Sequence, residues 1–251
     1  MSLIQTKSFE IAAYIKGDTG SKKLALVLPG RLDTKDYPHM HSHVDYLAER
    51  GYLALSFDPP GTWESPGDIS LYTMTNYLKA INELIEYFGN RTTLTVGHSR
   101  GGSMAMLAAI SNSYVTHFIA VLMGGYSYDK KYYEWLPGEE VWKQQGYKVE
   151  PRDLPEAPEQ IRNFNLPYTF YEDSTQYDMT EGLKNCTKPK LFILGTKDVT
   201  VKPVVTRKAF ELSAPPKELR EIDSDHNYRL NSNLTNEVNV LIGEFLDKHG
   251  N

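Results

Sequence analysis

The sequence predicts an α/β protein, a mostly parallel central sheet with helices packed on both faces. Three observations carry this. Short runs at 24–28 and 191–194 are continuously apolar, and 53–57 is so but for Ser56, which suits strands buried on both faces. Helix-periodic segments separate them, so that successive strands are joined by crossovers. The string Gly97-His98-Ser99-Arg100-Gly101-Gly102 lies between a β-favouring run, 92–96, and a small-residue helical run, 103–110, the pattern of a strand turning sharply into a helix.

The remaining elements follow in order. Residues 9–15 alternate apolar and small side chains like a strand, and Lys16-Gly17-Asp18-Thr19-Gly20 turns the chain toward the buried run at 24–28. A helical segment around 44–50 leads into the strand at 53–57. Residues 71–88 read as a long helix with Tyr77, Leu78, Ile81, Leu84, Ile85 and Phe88 on one face. Strands are expected at 117–123, 191–194 and 219–222, and a final helix at 234–246. The stretch from 124 to 188 breaks the rhythm with several prolines and with Tyr126, Tyr128, Tyr132, Tyr133, Trp135, Trp142 and Tyr147. It reads as a cap inserted at about 125–188 into a single domain spanning 1–251, with 151–158 as a loop inside it.

Composition narrows the function classes. With 251 residues, 40% hydrophobic and 24% charged, the chain has the size and balance of one globular domain. The formal net charge of -5, with Lys and Arg scattered, leaves no footprint for nucleic acid or anionic lipid. No apolar run reaches the length of a membrane span. The first residues lack the apolar core of a signal peptide, and residues 1–3 read in part as an expression scar. Cys186 is the single cysteine, so no internal disulfide can form. It is read as a packed side chain, and the protein as cytoplasmic.

The string around Ser99 carries the chemistry. Glycines two residues to either side allow a sharp turn that lifts the serine hydroxyl clear of the sheet and aims the N–H of Arg100 at an oxyanion forming there. A serine hydroxyl needs a base and a group to orient that base. Of the seven histidines, His226 is the candidate, because its polar turn, Asp223-Ser224-Asp225-His226-Asn227, follows the last strand and shares the sheet edge with Ser99. Asp198, just past the strand at 191–194, is the candidate acid, with Asp223, Asp225 and Asp58 as rivals. The second oxyanion donor is expected in Leu28-Pro29-Gly30-Arg31-Leu32, from the N–H of Arg31 or of its neighbour Leu32. The side chains of Arg31 and Arg100 either receive a substrate carboxylate or pair with surface acids. Leu32, Trp63 and Trp135 are the candidate substrate-contacting residues.

At these residues the chain resembles the α/β-hydrolase superfamily along nearly its whole length. Residues 97–102 match its G-H-S-x-G-G elbow, Asp58-Pro59-Pro60-Gly61-Thr62-Trp63-Glu64-Ser65 is similar to its D-x-x-G-x-G-x-S loop, and Gly195-Thr196-Lys197-Asp198 is similar to its acid loop. The chain order Ser99, Asp198, His226 is the order of that family. Pro29 replaces the usual histidine before the oxyanion-loop glycine, and Trp63 the second glycine of the aspartate loop. The resemblance implies an α/β-hydrolase fold and a serine hydrolase acting on a small-molecule ester. Thioesters and amides use the same machinery. The fold also hosts cofactor-free lyases, peroxidase-like enzymes and ligand-binding homologues without turnover.

No cofactor is expected, since the chain has no P-loop and no G-x-G-x-x-G after a strand. His39, His41 and His43 form an H-x-H-x-H set. The segment 38–45 reads as a helix start, where only His39 and His43 would align, with no partnering cysteine or H-x-x-E-H pattern, so no metal is expected there.

Overall fold

The computed structural model describes residues 2–127 and 139–249. Its strands are β1 (Ser2–Gln5), β2 (Glu10–Lys16), β3 (Lys23–Leu28), β4 (Leu53–Phe57), β5 (Thr92–His98), β6 (Val115–Val121), β7 (Tyr147–Asp153), β8 (Ile161–Pro167), β9 (Lys190–Gly195) and β10 (Lys217–Ile222). Eight of them form one sheet in the order β1-β2-β4-β3-β5-β6-β9-β10. The β1–β2 and β2–β4 pairs are antiparallel. All pairs from β4 to β10 are parallel.

The continuous apolar runs are divided between two cores by the two-residue period of a strand. Leu24, Leu26 and Leu28 of β3 face one side. There they join Tyr77, Ile81 and Leu84 of α2 (Met74–Tyr87) and Met104, Ala105 and Ala108 of α3 (Arg100–Ser111). Ala25 and Val27 face the other, with Met40, Val44 and Leu47 of α1 (Pro38–Glu49) and Val238, Ile242 and Phe245 of α8 (Ser232–His249). Helices therefore cover both faces, as the sequence predicts.

Several boundaries differ from expectation. Helix α1 begins at Pro38, as the helix start at 38–45 implies, in the first turn where a missing N–H costs nothing, and so extends well ahead of the segment expected around 44–50. Residues 2–5, read in part as a scar, form β1, which pairs with β2 and buries Ile4. Between β6 and β9 lie α4 (Glu139–Gln145), the antiparallel pair β7–β8, α5 (Tyr168–Ser174) and α6 (Thr180–Asn185). The loop expected at 151–158 thus starts inside β7, where Pro151 opposes Asn163. A two-stranded sheet has only edge strands, and an edge strand tolerates a proline. Helix α7 (Pro203–Leu212) connects β9 to β10. Tyr128, Tyr132, Tyr133 and Trp135 lie outside the described residues. No described helix is long and apolar enough to cross a membrane.

Candidate active site

Ser99 occupies the turn between β5 and α3 with φ 52 and ψ -118, a left-handed conformation that costs a side-chain-bearing residue of order 1–3 kcal/mol. The surroundings hold it there. Its N–H donates to the Val121 carbonyl at 3.0 Å, and its carbonyl accepts from Gly102 N at 2.9 Å and Gly124 N at 2.7 Å. The glycines at 97 and 101 are steric necessities. A Cβ on Gly97 would stand 2.1 Å from the Gly101 carbonyl, and one on Gly101 would stand 1.9 Å from the Leu28 oxygen.

Three segments that are far apart in sequence meet at this turn. His226 Nε2 is 2.9 Å from Ser99 Oγ, and His226 Nδ1 is 2.7 Å from Asp198 Oδ2. A carboxylate can only accept, so Nδ1 carries the proton and Nε2 offers its lone pair to the serine hydroxyl. The Asp198 carboxylate is buried, and its other oxygen accepts from Thr200 N and Val201 N, both at 2.8 Å. The three rival acids are engaged elsewhere. Asp225 accepts from Asn227 N at 2.8 Å, and exposed Asp223 pairs with Lys197 at 2.8 Å. Asp58 is buried against Thr34 and Lys35, and burial raises its carboxyl above the ordinary range.

The loop after β3 separates the two oxyanion candidates. Leu32 N donates to the Tyr72 hydroxyl at 3.1 Å, so that amide is committed. Arg31 N has no acceptor among the described residues, while the Arg31 carbonyl accepts from Arg152 Nε at 3.0 Å and Nη2 at 2.6 Å. Arg100 is the first residue of α3, and its N–H has no carbonyl of its own helix to reach.

Behind the histidine lies a buried polar layer that the sequence reading missed. His98 Nε2 donates to the His226 carbonyl at 3.1 Å, and His98 Nδ1 faces Asp33 Oδ2 at 3.6 Å. Burial would raise the Asp33 carboxyl, but His98 and Arg152 override it and hold the group well below the usual carboxylate range. Burial pulls His98 down despite Asp33, and pulls His39 well below an ordinary histidine. The one available signal was His98 itself, which the turn directs away from Ser99 and toward the next loop.

Asp33, His39 and His98 each bring one potential ligand atom within 4.8 Å of the others. Arg152 Nε stands 3.6 Å from Asp33 Oδ1, however, and a fixed guanidinium on the carboxylate works against a second cation. His39 and His43 share a face of α1, their rings edge-on with centroids 6.1 Å apart, but both ring nitrogens of His43 are engaged elsewhere. His43 uses Nδ1 on Asn239 Oδ1 at 2.6 Å and Nε2 on the Tyr228 hydroxyl at 2.8 Å. The carboxylates of Asp36, Asp58 and Glu64 surround Lys35 Nζ, which supplies their positive charge.

A cavity of about 470 Å³ opens over Ser99 and His226. Trp142, Phe170, Tyr171, Ile161 and Val201 form its apolar wall, and Arg31, Arg100, Arg152 and Arg229 contribute guanidinium groups. Two substrate-contact expectations are corrected. Leu32 is fully buried in the core beneath the loop. Trp63 donates from Nε1 to the Leu32 carbonyl at 2.8 Å and packs edge-on against Phe164, away from the cavity lining. Both residues have positive φ, 58 and 46, so each serves the backbone path of its loop. Trp135 lies outside the described residues.

A family model for the alpha/beta hydrolase fold matches residues 25–145. Among solved structures the chain is similar to Est1E from Butyrivibrio proteoclasticus with ferulic acid bound, at 18% identity and TM-score 0.75 over 99% of each chain. It is similar to alpha/beta hydrolase domain-containing protein 10 from mouse at 19% identity and TM-score 0.78, over 98% of each chain. The Pyrococcus furiosus esterase Pf2001 matches at 18% identity and TM-score 0.70, covering 99% of this chain and 91% of the other. A search of curated protein sequences found no match. These likenesses show that the chain has the alpha/beta hydrolase fold.

Proposed function

We propose that the protein is a serine hydrolase that cleaves a small carboxylic ester through an acyl-enzyme. The observation that carries this is the unbroken hydrogen-bond chain from Asp198 through His226 to Ser99, ending on a strained serine that faces a cavity. His226 Nε2 takes the hydroxyl proton as Ser99 Oγ attacks the ester carbonyl, and Asp198 stabilises the imidazolium that forms. The N–H groups of Arg31 and Arg100 hold the oxyanion, each such donor being worth about 2.7–4 kcal/mol in the transition state. His226 then returns the proton to the departing alkoxide. Water, deprotonated by His226, attacks the acyl-enzyme, and collapse of the second tetrahedral intermediate releases the acid and restores Ser99. Thioesters and amides would follow the same steps with a different leaving group. The esterases among the structural relatives favour an oxygen ester.

Hydrolysis of p-nitrophenyl acetate and butyrate by wild type, Ser99→Ala and His226→Ala tests the proposal. Wild type should show turnover that both variants lose by a factor of about 10⁴ or more. Undiminished turnover by Ser99→Ala would refute it.

A further inference from the structure

The loop that carries Arg31 is a tight turn held in its less comfortable form. Asp33 N donates to the Gly30 carbonyl at 3.2 Å and closes a turn over residues 30–33. Leu32, in third place, has φ 58, while Arg31, in second place, stays out of the positive region, so the turn is of type II. That form suits glycine or asparagine in third place. With leucine there, rotating the central peptide by half a turn gives the easier type I form, in which the same residue takes a φ of about −90°.

The central peptide joins Arg31 to Leu32, and it is held at both ends. Its N–H, that of Leu32, donates to the Tyr72 hydroxyl at 3.1 Å. Its carbonyl, that of Arg31, accepts from Arg152 Nε at 3.0 Å and Nη2 at 2.6 Å. Rotating the peptide breaks all of these bonds, and those from the guanidinium are charge-assisted. Arg152 is itself fixed. Its Nη1 donates to the Pro151 carbonyl at 2.7 Å, and its Nε stands 3.6 Å from Oδ1 of buried Asp33. The next residue of β7, Asp153, receives a two-pronged bond from Arg229 at 3.0 and 2.7 Å, and its carbonyl accepts from the Tyr37 hydroxyl at 2.9 Å.

The turn lies against the nucleophile. A Cβ on Gly30 would stand 3.4 Å from Ser99 Cβ, and the Arg31 amide is the next group along the chain. That amide immediately precedes the clamped peptide, so the same turn sets its direction. Resting on the serine-hydrolase reading above, we infer that Arg152 is a positioning residue for the oxyanion hole, holding the 30–33 turn in the form that presents the Arg31 N–H. Tyr72 holds the other end. The β7–β8 hairpin must therefore be seated on the loop for the second donor to be in place.

A double-mutant cycle against the amide itself tests this. Proline at 31 removes the N–H and suits the second position of a type II turn, whereas alanine removes only the side chain. With p-nitrophenyl butyrate, Arg31→Pro should fall about 10²- to 10³-fold below Arg31→Ala in kcat, the loss of one oxyanion donor. Arg152→Gln in the Arg31→Ala background should lower kcat about a hundredfold and leave KM nearly unchanged, as a donor misplaced by about 1 Å implies. In the Arg31→Pro background no donor is left to position, and the same change should cost less than about threefold. Arg152→Lys keeps the charge and loses the fork, so it should retain part of the activity, and it serves for the comparison if Arg152→Gln does not fold. Amide exchange at Leu32, followed by NMR, reads the turn without any substrate and should be about tenfold faster or more in Arg152→Gln than in wild type. Losses of equal size in both backgrounds, undiminished kcat in Arg152→Gln, or unchanged exchange at Leu32 would overturn the inference and leave the hydrolase reading standing. Equal activity of Arg31→Pro and Arg31→Ala would do the same, because the donor would then not be at residue 31. A wild type that turns over no ester sinks the hydrolase reading, and the role assigned to Arg152 with it.

Discussion

Gly101→Ala should disable the site without touching any of its polar groups. The new Cβ would stand 1.9 Å from the Leu28 oxygen, 2.6 Å from the Leu28 carbonyl carbon and 2.7 Å from the Pro29 oxygen, all backbone atoms that no rotamer change can move. Reaching even 3.0 Å, the lower edge of observed contacts, requires the start of α3 and the end of β3 to separate by about 1.1 Å. These two segments carry Ser99 and the Arg31 loop. A misplacement of about 1 Å in a reacting constellation costs roughly a hundredfold in rate. Overpacking of this kind costs about 1–3 kcal/mol, or a melting-temperature drop of roughly 2–12 °C for a chain of this length. The assay is p-nitrophenyl butyrate turnover together with a circular-dichroism melt. Gly20→Ala serves as control, since a Cβ there meets only the exposed Asp18 side chain, at 3.3 Å. A Gly101→Ala protein with wild-type rate and wild-type melting would refute the steric account of the turn.

Asp198→Asn should retain the acceptor for Thr200 N and Val201 N but present N–H to His226 Nδ1, reversing the tautomer. Turnover should fall about 10⁴-fold with little change in melting, and a loss below tenfold would count against Asp198 as the acid. Tyr72→Phe leaves the buried Leu32 N–H without its acceptor. Denaturant titration should show a loss of about 1–3 kcal/mol, and unchanged stability would mean that another group takes the bond. Acidification should destabilise the fold. Burial holds His43 at about 4 against an unfolded value of 6.5, so between these limits the unfolded chain binds the extra proton and stability is lost as pH falls from 6.5 toward 4. The slope from this one group is about 1.4 kcal/mol per pH unit. Urea unfolding at pH 7.5 and pH 5 checks it, and a flat profile, or the same slope in His43→Gln, would contradict it.

The parallel layer was legible because its strands announce themselves in one dimension. Buried runs such as 24–28 and 53–57 need no knowledge of their neighbours, and the glycines at 97 and 101 report a turn whose steric demands are local. The meeting of Ser99, Asp198 and His226 was legible for a related reason, since parallel strands deliver their following loops to one edge. What failed to show depended on partners distant in sequence. β1 is a four-residue edge strand whose only credential is β2, and β7 carries a proline that reads as loop. Trp63 looked like a pocket residue because its loop was expected near the site, but its indole turns to Leu32 and Phe164. Asp33 carries no sequence signal at all. Its role appears only when β3's loop, His98 and Arg152 are brought together.

Peptide mapping of a fluorophosphonate adduct tests the central claim most directly. The probe reacts with a serine only where a base and an oxyanion site activate it. The account predicts one adduct, on the peptide containing Ser99, absent from Ser99→Ala and strongly slowed in His226→Ala. An adduct on any other residue, or none on wild-type protein that is folded by circular dichroism, would contradict it.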